Sequence, residues 1–123
     1  MQEQVRKIVD LLATMTEGLN YVETKLQVYD LTNSTGVMRD SIGAFLTIQQ
    51  ALTTMPGLIK KGRQQQSITQ KSERLQESFA QLVTAWEEGD ATKTNEFYHA
   101  AVRPAFIAWK KGLEKILLPL VQM

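Results

Sequence analysis

Val5, Ile8, Leu12, Met15, Leu19, Val22, Leu26 and Tyr29 recur at alternating gaps of three and four residues, the spacing that lays one apolar stripe along a helix. A first helix is therefore predicted from about Gln2 to about Tyr29, with Gly18 inside it, where glycine suggests close approach of a neighbouring backbone. Asp30 to Gly36 is rich in residues that cap and turn, and the next stripe, Met38, Ser41, Phe45, Ile48, Leu52 and Met55, predicts a second helix ended by Pro56-Gly57. Gly36 and Gly43 lie on one side of that helix and suggest a second close approach. Ser67 and Gln70 have the form of a capping box, so a third helix is expected to begin there. It carries Ile68, Ser72, Leu75, Phe79, Leu82 and Trp86 on its stripe and stops at Glu87-Glu88-Gly89.

Asp90 is expected to cap a fourth helix with the stripe His99, Val102, Phe106, Trp109, Leu113, Ile116 and Leu120. Pro104 lies inside it and predicts a kink between Ala100 and Pro104, or else a break into two helices. Four stripes joined by short or moderate connections predict an all-α fold in one domain spanning 1–123. The expected architecture is a four-helix up-down-up-down antiparallel bundle, the last helix kinked at Pro104. A three-helix arrangement with the second or third helix broken is the alternative.

Composition narrows the chemistry more than it identifies it. Hydrophobic residues make up 43% of the chain and charged ones 22%, so it is not a disordered chain. The net charge of +1 supplies no bulk field for nucleic acid or an anionic membrane. There is no cysteine, which removes disulfides, thiolate metal sites and cysteine nucleophiles together. No run approaches the roughly 18 apolar residues of a membrane span, and the polar start from Met1 to Arg6 leads into no apolar signal-peptide core, so a cytoplasmic location is expected.

Gly89-Asp90, Tyr98, Pro104, Trp109 and Lys110, together with Gly18-Leu19-Asn20-Tyr21-Val22, resemble small uncharacterised helical-bundle proteins of Gram-positive bacteria. That resemblance implies a helical bundle of unknown function and brings no site residues with it. The bundle shape also resembles flagellar and secretion export chaperones, which cradle an amphipathic helix of a client.

Glu96 and His99 stand three apart and can project from one helical face, the spacing of half a bundle metal site. His99 is the only histidine, so a complete site of that kind needs a second chain. The same scarcity leaves a nucleophile triad one candidate base, and no Gly-x-Ser-x-Gly elbow or P-loop pattern accompanies it. No enzyme activity, catalytic residue, cofactor or metal is therefore expected. Lys60, Lys61 and Arg63 form the densest basic stretch, a weak nucleic-acid candidate without stacking aromatics beside it. The tail from Ile116 to Val121 is apolar on all sides, and Leu117, Leu118, Leu120 and Val121 are the expected interaction surface. The functional expectation is a non-enzymatic protein–protein interaction module, adaptor-like or chaperone-like, that forms a homodimer or binds a helical partner. The alternatives are a metal- or small-ligand-binding bundle using Glu96 and His99, or nucleic-acid binding through Lys60 to Arg63.

Overall fold

The computed structural model describes residues 2–121. They form an all-α four-helix bundle with no strand among the described residues. α1 (Gln2–Gln27) buries Val5, Ile8, Leu12, Met15, Leu19, Val22 and Leu26, as the stripe requires. Tyr29 departs from the expectation, being exposed beyond the helix end. It takes φ of 58°, and the N–H groups of Tyr29 and Asp30 donate to the carbonyls of Leu26 and Lys25 at 3.0 and 2.9 Å. This reversed end satisfies two carbonyls that the helix itself cannot, in a conformation usually left to glycine.

Asp30 then accepts the N–H of Asn33 at 3.0 Å and opens a single 3₁₀ turn (Thr32–Ser34) leading into α2 (Thr35–Thr53). α3 (Arg63–Glu87) begins one turn earlier than the capping-box reading of Ser67 and Gln70. Gly62 supplies the entry with φ of 95°. The Gln64 side chain accepts the Lys60 N–H at 2.6 Å, so a glutamine and a left-handed glycine do the work expected of the serine. The connection is correspondingly short, and Met55 and Leu58 within it are buried.

Gly89, with φ of 74°, ends α3, and the Asp90 carboxylate accepts the Lys93 N–H at 3.0 Å as the cap of α4 (Ala91–Phe97). A π-helical turn (Tyr98–Val102) carries α4 into α5 (Arg103–Val121) without interruption. The Arg103 N–H donates to the Tyr98 carbonyl, five residues back. Pro104 has no N–H for the Ala100 carbonyl, and its ring would collide with that oxygen in a regular α-turn. The wider turn takes up the mismatch where the alternative reading expected the helix to break.

Two seams of the bundle are tightened by glycine. A Cβ at Gly18 would lie 2.7 Å from Ser41 Oγ, so α1 and α2 approach closely there. A Cβ at Gly112 would lie 3.1 Å from Ile68 Cδ1, which does the same for α3 and α5. Gly36 and Gly43 play no such part, because nothing lies within 4 Å of either position. α1 and α5 also pack directly. α2 and α3 are not among the closely packed pairs. They meet through large side chains: Phe45 contacts Phe79 edge-on at 5.7 Å, and Trp109 of α5 lies 5.0 Å from Phe45.

Candidate functional site

The open seam between α2 and α3 follows from what fills it. Three contacts bridge it, and residue numbers rise on α2 as they fall on α3, so the two helices run antiparallel. Trp86 Nε1 donates to Thr35 Oγ1 at 3.0 Å at one end, Phe45 meets Phe79 in the middle, and Ser72 Oγ donates to Gln49 Oε1 at 3.1 Å further on. A phenylalanine pair holds backbones apart where glycine would draw them together. The result is a groove with an aromatic floor.

Its inner part is a slot of about 190 Å³ lined by Ile42, Phe45, Leu46, Phe79, Ala80 and Val83. Gln76 borders both this slot and a wider cleft of about 470 Å³ that continues toward the α2–α3 connection. Leu52, Met55, Ile59 and Ile68 lie in that cleft, with Thr53, Lys61, Thr69 and Glu73 around them. Leu46 stands on the lip with 53% of its surface exposed. Ile42, Leu52, Ile59 and Val83 are half-buried against the core. An apolar floor bordered by polar residues is the surface that an amphipathic helix buries its stripe against.

The C-terminal tail is a weaker candidate than the sequence suggests. Leu117 is wholly buried and belongs to the core, because the stripe of α5 continues through Trp109 and Leu113 to that position. Leu120 and Val121 pack partly against the core and Leu118 is half-buried. Lys60, Lys61 and Arg63 are exposed at the basic end of the groove.

His99 of the Glu96–His99 pair is drawn to Glu23 on α1. Glu96 is exposed, and His99 Nδ1 lies 3.5 Å from Glu23 Oε1 on α1. Glu23 also accepts from the Arg103 guanidinium. One carboxylate thus holds an imidazole and a guanidinium, an arrangement that ties the π turn to α1. Beside it Tyr98 is buried, and its hydroxyl donates to the Leu19 carbonyl at 3.1 Å. Burial first, then the nearby Glu23 charge, pushes this phenol well above its ordinary pKa, with Arg103 opposing them. Tyr98, and not its neighbour His99, occupies the buried stripe. Among the described residues no group of three or more His, Cys, Asp or Glu could hold a metal ion. No helix among them is long and apolar enough to cross a membrane.

The groove itself was not anticipated from the sequence. Its visible signals are Ile42 and Leu46 on α2 and Val83 on α3, apolar residues outside the stripes. Compared with known families, residues 3–112 match the family model described as Domain of unknown function (DUF8042). No curated protein and no solved structure matches the chain.

Proposed function

Because the chain belongs to the DUF8042 family, whose description carries no activity, we propose from the geometry that it is a non-enzymatic interaction module. It receives an amphipathic α-helix of a protein partner in the α2–α3 groove. The observation that carries this reading is the half-exposed row Ile42, Leu46, Leu52, Ile59 and Val83 over a Phe45–Phe79 floor. Contiguous apolar surface of this kind marks interaction sites on soluble proteins. The commitment of His99 and Arg103 to Glu23 supports a structural role for the π turn.

A photo-reactive amino acid placed at Leu46 tests the docking surface in cells that produce the chain. Thr14, exposed on the outer face of α1, serves as the control position. The expected result is a discrete adduct from position 46 that is absent from position 14. Equal labelling at both positions, or none at 46, overturns the groove as the docking surface.

A further inference from the structure

Resting on that reading, we propose that the helical partner is a second copy of this chain, the two copies facing each other across a two-fold axis beside Leu46. Each copy then inserts its Leu46 into the Ile42–Phe45–Phe79–Val83 slot of the other.

The position of Leu46 suits such an axis. α3 contains 25 residues, and its midpoint is Leu75. The contacts Phe45–Phe79 and Gln49–Ser72 bracket that midpoint from α2, so Leu46 lies halfway along the groove. A residue at the centre of an isologous contact meets its own slot on the partner, which makes one exposed leucine count twice.

Charge favours the same arrangement. Lys60, Lys61 and Arg63 stand at one end of the groove, and Glu87 and Glu88 at the other, with Glu88 shared with Lys93 at 3.3 Å. Glu73 borders the cleft on α3, and Arg39 is exposed on α2 one turn in from Thr35. The ends are separated by the length of α3, about 37 Å, several Debye lengths at physiological salt. Within one chain they therefore do not neutralise each other. A two-fold axis across the groove brings each basic end onto the acidic end of the other copy, whereas stacking like ends together is repulsive. The overall charge of only +1 leaves little repulsion between copies. α2, with 19 residues, and α3, with 25, span about 28 and 37 Å and together offer a face of roughly 600 Å² per copy, at the lower bound of what a standard stable interface uses.

Sedimentation velocity over the micromolar to millimolar range tests the pairing on the full chain. The wild type is expected to pass from monomer to dimer. Leu46→Glu should weaken the dimer by at least about 30-fold, since a central, desolvated contact is lost in both copies. Because Leu46 is exposed, the monomer should keep its melting temperature, and Leu46→Gln provides a milder second variant. Lys61→Glu and Glu87→Lys should each weaken the dimer about 10-fold, and combining them in one chain should restore it. A wild type that stays monomeric overturns the pairing, as does a dimer indifferent to Leu46 or a charge swap that fails to restore association. A monomeric chain that still gives a position-46 adduct with a different protein overturns the pairing and leaves helix docking standing. A monomer with no adduct removes both.

Discussion

Tyr98 is a buried titratable group, so its ionisation is coupled to folding. Its phenol is buried, donates to the Leu19 carbonyl, and is held above its ordinary value of 10.0 by burial and by Glu23. A raised folded-state pKa means that the folded chain keeps a proton the unfolded chain gives up. The stabilisation is complete below about pH 10 and is lost as pH rises toward the folded value. Stability is therefore expected to fall above pH 10, and Tyr98→Phe should flatten that part of the profile. At neutral pH the substitution should cost only about 1 kcal/mol or less, because Leu19 sits within α1 and its carbonyl also has a helical partner. Urea unfolding across an alkaline series measures both effects. An alkaline slope that persists unchanged in the phenylalanine variant would assign it to other groups.

At the scale of elements, the glycine in α1 decides how near α2 can come. Gly18→Ala gains helix propensity worth about 1 kcal/mol, but its Cβ meets Ser41 Oγ at 2.7 Å. The gain should appear in full only when Ser41→Ala removes the hydroxyl, giving a favourable coupling in the double-mutant cycle. Additive substitutions would show that the seam relaxes without cost. This close approach was legible in the sequence at Gly18, whereas the same reading failed at Gly43, where nothing lies within 4 Å. The caps at Gly89 and Asp90 were legible from local chemistry.

Pro104 pointed to the region of the π turn, but the turn itself was not legible. Thr94, Tyr98, Val102 and Phe106 are buried at four-residue steps, yet Ala105, Trp109, Leu113 and Leu117 are buried at the same steps within regular α-helix. A stripe begun at His99 also started one residue late. The start of α3 was misread because a serine–glutamine pair looks like a cap whatever precedes it. Only the fold reveals that Gln64 had already closed the turn.

For the whole molecule, the groove was the least legible feature, because it depends on spacing between helices and not on periodicity along one. Glycine against serine and glycine against isoleucine draw α1 to α2 and α3 to α5, while phenylalanine against phenylalanine holds α2 from α3. No stripe contains that comparison until the helices are paired. The same distribution gives the two tryptophans unequal duties. Trp86 sits at the end of the loose seam, bonded to Thr35. Trp109 is fully enclosed between Phe45 and Phe106, and its indole N–H finds no partner among the described residues. Parting of the seam at its Thr35–Trp86 end would release the first, while Phe45 and Phe106 keep the second enclosed. In single-tryptophan variants, acrylamide quenching of Trp86 is expected to rise at urea concentrations below the global transition, while Trp109 stays dark to the quencher until the bundle unfolds. Simultaneous changes would mean that the seam opens only with the whole. The chain thus carries its own optical gauge, with one lamp at the latch and one sealed in the spine.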